Sequence, residues 1–342
     1  MNIKSSLVVL SVATILVSAA SIRAQVSTPS IQSFEQWCQQ KDTLPVETKK
    51  TVEVLLQKAG TEDCKAADLQ LNSLKELSLF LSQITDVKPL SSLTNLTKLY
   101  LNHNQISDVQ PLESLNSLSI LWLEGNRISD VTHLATLINL RVLNLNNNQV
   151  RDINPLARLT NITSLNLAGN LVQEIKPLAS LTNLTYLNLD NNQIRDVTPL
   201  AGLTKLTWLL IGSNQIVNIQ PLESLTDLEN LSLMDNQINN VQPLVGLANL
   251  IRLRLNSNQI RNANSLTGLT KLSLLDLSRN QLNDVQPLAS LTKLTWLDLS
   301  WNQVRDTAPL VSLTNLTQLN LSENATLINK ICPVKPESIC SF

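Results

Sequence analysis

The chain has 342 residues, of which 43% are hydrophobic but only 3% aromatic, and it contains 7 glycines. This composition is unusual for several ordinary globular domains and favours a repetitive architecture. The formal net charge is −1, from 26 basic and 27 acidic residues, which excludes a general electrostatic attraction to nucleic acid or to an anionic membrane surface.

The first 24 residues are typical of a secretory signal peptide. A positive start at Lys4 precedes an apolar run over residues 7–20, and Ala24 fits a small-residue cleavage site. The run is shorter than the ~20 residues that span a bilayer. Cleavage after Ala20 and an uncleaved N-terminal anchor are the alternatives. We expect a periplasmic or secreted protein without an integral membrane segment after cleavage.

Residues 25–73 are predicted to form an N-terminal helical cap. The segment LPVETKKTVEVLLQKAG reads as a helix that ends at Gly60. Its apolar side carries Val52, Leu55 and Leu56. Cys38 and Cys64 bracket the helix. In an exported chain such a pair predicts a disulfide that holds the cap together.

A period of 22 residues governs residues 74–325 and predicts about 12 repeats. It is marked by one asparagine per repeat: Asn104, Asn126, Asn148, Asn170, Asn192, Asn214, Asn236, Asn258, Asn280, Asn302 and Asn324. Each copy reads L-x-x-L-x-L-x-x-N, as in LTKLYLNHNQISDVQPLESL. The L-x-L segment predicts one short parallel strand per turn with its leucines inward. The asparagine side chain is expected to satisfy backbone groups as a structural ladder.

A proline recurs seven residues after most of these asparagines and predicts a 3₁₀-like turn on the opposite side of each repeat. His133 and Ser265 stand in this column in two copies, which we interpret as drift at a tolerant site. The earliest copy has Ser82 in place of the asparagine. After Asn324 the period fails, and residues 326–342 are predicted to form a C-terminal cap closed by a disulfide between Cys332 and Cys340.

The repeats resemble the 22-residue leucine-rich repeats of bacterial internalins. The resemblance implies an α/β fold: a right-handed solenoid with a parallel β-sheet on its concave face and 3₁₀ turns on its convex face, closed by the helical N-terminal cap. It also implies binding of a protein on the concave face. Nothing after Cys340 resembles a cell-wall sorting signal, so host-cell adhesion is not carried over.

Candidate binding residues lie where strand side chains point away from the leucine core or onto the rim beside the asparagine. All seven aromatic residues of the repeats fall there. We expect three clusters: Phe80 with Tyr100, Ile120 and Trp122; Tyr186 with Trp208 and Leu210; and Trp296 with Trp301. Aromatics also favour strands where no ligand exists, but tryptophan and tyrosine beside polar groups are typical of recognition surfaces.

Charged candidates on the same face are Arg252, Arg254, Asp276 and Asp298. The last three occupy one column on successive strands, where a surface charge network is favoured over a cation site. No calcium-binding loop occurs among the Asp and Asn residues, and no nucleophile or metal-ligand spacing surrounds the two histidines, so we expect neither cofactor nor bound metal, and no enzyme.

The leading hypothesis is therefore an exported, monomeric module that binds an unidentified protein partner on its concave face. Trp122, Trp208 and Trp296 would be the anchors, and Arg252 and Arg254 would supply charge selectivity. The alternatives are a polysaccharide-binding envelope or matrix protein that stacks sugars on the spaced aromatics, and a structural envelope component that binds nothing specific.

Overall fold

The computed structural model describes residues 32–327 and 329–342, and the predicted signal peptide, residues 1–24, lies outside them. Within the described residues, three helices precede a repetitive array of strands and 3₁₀ turns. The helices are α1 (Phe34–Gln39), α2 (Val46–Ala59) and α3 (Cys64–Ser73). Of these, only α2 is predicted from the sequence, through the apolar side of its segment; α1 and α3 are not.

The described part of the chain forms one 13-stranded sheet in which every strand pairs in parallel with its neighbours in chain order. The strands are β1 (Glu76–Ser78), β2 (Lys98–Tyr100), β3 (Ile120–Trp122), β4 (Val142–Asn144), β5 (Ser164–Asn166), β6 (Tyr186–Asn188), β7 (Trp208–Leu210), β8 (Asn230–Ser232), β9 (Arg252–Arg254), β10 (Leu274–Asp276), β11 (Trp296–Asp298), β12 (Gln318–Asn320) and β13 (Cys340–Ser341). This is the predicted solenoid, with one strand per 22-residue turn.

A 3₁₀ helix follows each repeat strand from β1 to β11 on the convex side. Proline occupies one of its first two positions in most turns, where the absent N–H costs nothing. The two turns that lack proline still form 3₁₀ helices, at Thr132–Thr136 and Asn264–Leu266. Proline therefore favours this turn but is not required for it.

The core is a continuous stack of leucine, isoleucine and valine. In the second repeat, for example, Leu96, Leu99, Leu101, Ile106 and Leu112 have no exposed surface, and the same columns are buried in the later turns. A single turn cannot bury these side chains alone, because each packs against the equivalent side chain of the turns before and after it. The open ends of the stack therefore need covers.

The N-terminal cover is the three-helix cap. Val52, Leu55 and Leu56 are buried against the core, and α2 ends at Gly60 in the left-handed conformation, as the sequence indicates. Ser33 and Gln36 form a capping box that starts α1. A disulfide joins Cys38 in α1 to Cys64 at the start of α3.

The C-terminal cover joins the sheet, which was not predicted. The disulfide between Cys332 and Cys340 closes a short loop whose last residues form β13, and β13 pairs in parallel with β12. Leu321 N–H donates to the Ser341 carbonyl, which continues the inter-turn hydrogen bonding by one step. The cap therefore extends the sheet as well as covering the core.

The repeated asparagines form the expected ladder, and all eleven make equivalent contacts. Asn192 is representative: its Nδ2 donates to the carbonyls of Leu167, Leu189 and Asp190 at 3.0, 3.1 and 3.2 Å, and its Oδ1 accepts from Val172 N–H at 3.0 Å. Two of these partners belong to the preceding turn. Ser82 needs no such ladder because helices, not a repeat, precede its turn.

Replacing Asn192 by alanine is expected to lower the free energy of unfolding by about 3 kcal/mol, because it leaves the buried Val172 N–H without a partner and weakens three carbonyl contacts. Urea denaturation followed by circular dichroism measures this. The matched control is Asn161→Ala on the exposed side, where one hydrogen bond to Ile138 is lost and about 0.5–1 kcal/mol is expected. Equal losses for both variants would contradict the ladder's structural role.

Candidate functional site

Two columns of side chains project from the strands onto the concave face, and the register aligns them across the whole sheet. The first column holds the first residue of each repeat strand: Glu76, Lys98, Ile120, Val142, Ser164, Tyr186, Trp208, Asn230, Arg252, Leu274, Trp296 and Gln318. The second column holds the last residue of each repeat strand: Ser78, Tyr100, Trp122, Asn144, Asn166, Asn188, Leu210, Ser232, Arg254, Asp276, Asp298 and Asn320. The leucine between them is buried in every strand.

Neighbouring aromatics in these columns contact each other. Tyr100 and Trp122 meet edge to face with ring centroids 5.4 Å apart, and Tyr186 and Trp208 are tilted with centroids 6.3 Å apart. Trp122 and Trp208 each keep 38% of their surface exposed. Aromatic pairs at these separations are attractive, so the rings are held in place while one side stays open to solvent.

Phe80 and Trp301 each contact a side chain that was not among their expected cluster partners. The ring of Phe80 meets His103 edge to face at 5.6 Å, and the guanidinium of Arg279 lies 5.1 Å from the ring centroid of Trp301. No ring pairing joins Trp301 to Trp296 within the described residues. Trp301 therefore takes part in a cation–π pair on the rim.

The rim column, the residue just before each repeated asparagine, has a left-handed backbone in every repeat. Its φ ranges from +49° at Ser213 and Asp235 to +64° at Gly125. Glycine and asparagine adopt this region most readily, whereas bulky side chains are strained there. Trp301, with φ of +57° and 52% exposure, is therefore a costly residue at its position.

The backbone strain at Trp301 predicts an inverted substitution order. Trp301→Gly should be more stable than Trp301→Ala by about 0.5–1 kcal/mol, because both variants lose the ring but only alanine keeps a Cβ in the left-handed region. The control is Trp296 in the extended strand β11, where alanine should be the more stable by a similar amount. Thermal or urea unfolding gives both differences, and the same order at the two sites would rule out the strain.

Arg254, Asp276 and Asp298 lie side by side in the second column, as predicted, without an ion pair in direct contact. No Lys, Arg or His of the described residues lies within 4.0 Å of either carboxylate. Asp276 Oδ1 instead accepts from Ser278 N–H at 3.0 Å and from Ser278 Oγ at 2.7 Å. Burial raises the pKa of Asp276, and Asp298 raises it further, against the lowering effects of Ser278 and Arg254.

This raised pKa predicts a pH-dependent gain from Asp276→Asn. Because the folded chain holds the proton of Asp276 more tightly than the unfolded chain, ionisation of Asp276 costs stability as pH rises above its ordinary value of 3.8. Asparagine keeps the Oδ1 acceptor and removes the charge, so the variant should unfold at higher urea concentration at pH 7. The gain should shrink on acidification and vanish below that ordinary value. A gain independent of pH would contradict this cause.

The strand β8, between the second aromatic pair and the arginines, carries a buried serine that is not among the predicted site residues. Ser232 in β8 is 3% exposed although it faces the concave side, and Asn230 beside it is 5% exposed. The larger side chains of β7 and β9 flank both residues on the paired strands. Alternation along β8 places Ser232 on this face, but its burial depends on neighbours 22 residues away on either side.

Metal-ligand groups and membrane-spanning helices are both absent from the described residues. Its His, Cys, Asp and Glu side chains form no group of three that could hold a metal ion. Within residues 32–327 and 329–342 no helix combines the length and the apolar composition needed to cross a membrane.

Stacked 22-residue turns with one strand, one asparagine and one 3₁₀ helix each define a leucine-rich repeat solenoid. Family models described as Leucine Rich repeats (2 copies) match residues 72–114, 94–136, 116–158, 138–180 and 160–202, and a Leucine Rich repeat model matches residues 290–308. A search of curated proteins found no significant match.

Similarity to solved structures indicates which leucine-rich repeat proteins this chain resembles. An internalin (InlF) from Listeria monocytogenes is 32% identical with a TM-score of 0.66, covering 81% of this chain and 98% of the other. Internalin C2 from the same organism is 39% identical over 59% and 91% of the two chains, with a TM-score of 0.57. A leucine-rich repeat protein from Leptospira interrogans is 27% identical over 79% and 76%, with a TM-score of 0.67. The chain belongs to the internalin-like leucine-rich repeat proteins.

Proposed function

We propose that this protein is an exported, monomeric, non-enzymatic module that binds a protein partner on its concave face. Trp122, Trp208 and Trp296 are the anchors, and Arg252 and Arg254 set charge selectivity. The disulfides at both ends fit an oxidising compartment outside the cytoplasm. The internalin-like fold supports an interaction module in general terms.

The observation that carries this proposal is the segregation of the aromatic residues. The repeat core consists of leucine, isoleucine, valine and alanine columns, while every aromatic of the repeats stands on the concave face or its rim. Keeping tryptophan at 38% exposure contributes less to stability than burying it would, and the rim tryptophan is strained as well. Half-exposed aromatics beside arginine and carboxamide groups are typical of protein recognition surfaces.

A polysaccharide ligand is the second candidate, and one feature favours it. Asn144, Asn166 and Asn188 form a run in the second column that leads from the first aromatic pair to β6, the strand that carries Tyr186 of the second pair. Each Oδ1 accepts from the backbone N–H two residues on. Their amide groups are thereby oriented, although Asn144 Nδ2 already donates to Glu124, and the amide donors of Asn166 and Asn188 near the aromatic rings would suit sugar hydroxyls. A purely structural envelope role is the third candidate.

Affinity capture from native secreted and envelope fractions tests the proposal when the full chain is compared with the triple variant Trp122→Ala, Trp208→Ala and Trp296→Ala. We expect the native chain to retain a specific protein and the triple variant to lose at least about 90% of it, since anchors of this kind contribute about 2 kcal/mol or more each. A glycan array is run with the same two proteins.

The matched control removes three exposed apolar side chains away from the concave face, with Ile138→Ala, Val245→Ala and Val311→Ala. Its capture should equal that of the native chain. Glycan binding by the native chain that is lost in the tryptophan variant would show that the ligand is a polysaccharide and not a protein. Equal behaviour of all three proteins would favour the structural role.

A further inference from the structure

A groove crosses the concave face along β8. In the first column Trp208, Asn230 and Arg252 are neighbours on β7, β8 and β9. In the second column the neighbours are Leu210, Ser232 and Arg254. The middle strand thus carries two short polar side chains, and the strands beside it carry four large ones.

The two sides of this groove differ chemically. Trp208 and Leu210 form an apolar wall, Arg252 and Arg254 form a cationic wall, and Asn230 and Ser232 form the floor around a depression of about 300 Å³. Two strand spacings separate the walls, about 10 Å between backbones. This width admits one side chain or one extended segment of a partner at a time.

The arginines are available to an incoming anion. Arg252 Nη1 donates to Asn230 Oδ1 at 3.1 Å, which orients the guanidinium over the floor, and the remaining donors of Arg252 bind no described residue. Both arginine side chains are exposed, and neither lies within 4.0 Å of a carboxylate among the residues that the structure describes. The pair is therefore a cationic wall without an internal counterion in contact.

The two nearby carboxylates, Asp190 and Asp276, do not act as contacting counterions of these arginines. Asp190 Oδ1 accepts from Gly212 N–H at 2.5 Å, and Asp276 Oδ1 accepts twice from Ser278. Burial raises the pKa of both, although Arg254 opposes the shift in each case. Each carboxylate thus uses an oxygen in hydrogen bonds within its own part of the sheet, and the arginine forks still face the groove.

We propose that the β8 groove binds an acidic side chain of the protein partner, with its carboxylate between Arg252 and Arg254 and a neighbouring apolar side chain against Trp208 and Leu210. Guanidinium groups match carboxylates in a forked, paired geometry. Only Trp208 of the apolar wall offers a flat ring for sugar stacking, whereas apolar side chains pack on both Trp208 and Leu210, so an acidic peptide uses more of this groove than an acidic sugar does. The inference rests on the proposed function and specifies its ligand.

A selection of random 12-residue peptides displayed on phage, against the immobilised full chain with its disulfides formed, tests this assignment. The enriched sequences should share Asp or Glu next to an aliphatic or aromatic residue. Synthetic peptides of that consensus should bind about tenfold more weakly to Arg252→Gln and to Arg254→Gln, the loss expected when one partner of a contributing charge pair is removed. Replacing the acidic residue by Asn or Gln should cause a similar loss.

Two control variants separate the fork geometry from the general charge. Arg151→Gln with Arg158→Gln removes two exposed arginines outside the strand columns and should leave peptide binding unchanged. Arg252→Lys with Arg254→Lys keeps the charge but not the forks and should bind more weakly than the native chain.

Peptides that are enriched without an acidic residue, or that bind the Arg252 and Arg254 variants normally, would overturn this inference and leave the proposed protein-binding function standing. Failure of the selection to enrich any sequence would overturn it as well. A third outcome would overturn both proposals. In it, no peptide is enriched, the native chain binds an oligosaccharide of uronic acids, and Arg254→Gln loses that binding.

Discussion

The hydrogen bonds of the repeated asparagine are the interaction on which this structure depends. Each side chain uses both its Nδ2 donor and its Oδ1 acceptor on backbone groups of its own turn and of the turn before it. These bonds interlock along the array. The carbonyl of Leu101, for instance, accepts from Asn104 at 2.9 Å and from Asn126 at 3.0 Å. The turns leave these backbone groups outside any regular ladder, where they would be buried without partners. The leucine columns form the buried apolar core. The asparagine hydrogen bonds require the same spacing of 22 residues from one turn to the next.

This division of work leaves the concave face free to vary. The residue before the asparagine must adopt a left-handed backbone, which favours glycine, asparagine, serine and aspartate, found at seven of the twelve rim positions. The first and second columns carry no such restriction, since their side chains neither enter the core nor bind the ladder. Aromatic, cationic, acidic and carboxamide side chains replace one another there from turn to turn. A face with this freedom can evolve recognition without disturbing the stack.

Much of the fold could be predicted because the repeat converts one periodic pattern into register. The spacing of the asparagines places Arg254 next to Asp276, and Tyr100 next to Trp122, before any coordinates exist. The caps were harder. The six-residue helix α1 is too short to show a helical period, and β13 pairs with β12 only as part of a loop that the C-terminal disulfide closes. Neither carries the 22-residue pattern.

Parts of the site were also beyond sequence reasoning, for a different reason. A column assignment gives the direction of a side chain but not its conformation. Phe80 turns to His103, Trp301 stacks with Arg279, and Ser232 is buried between the larger side chains that flank it on β7 and β9. These contacts depend on rotamers across adjacent turns, so the β8 groove emerges only when the strands are assembled.

The most direct test of this account asks whether the face can be changed without losing the fold. Tyr100, Trp122, Tyr186, Trp208 and Trp296 would be replaced together by serine or asparagine, which occupy equivalent positions in other turns. Urea unfolding should then show a cooperative transition, with no more than about 3 kcal/mol lost from the two aromatic pairs and their packing. Unfolding of the array by these five substitutions would contradict the separation of structural and recognition columns.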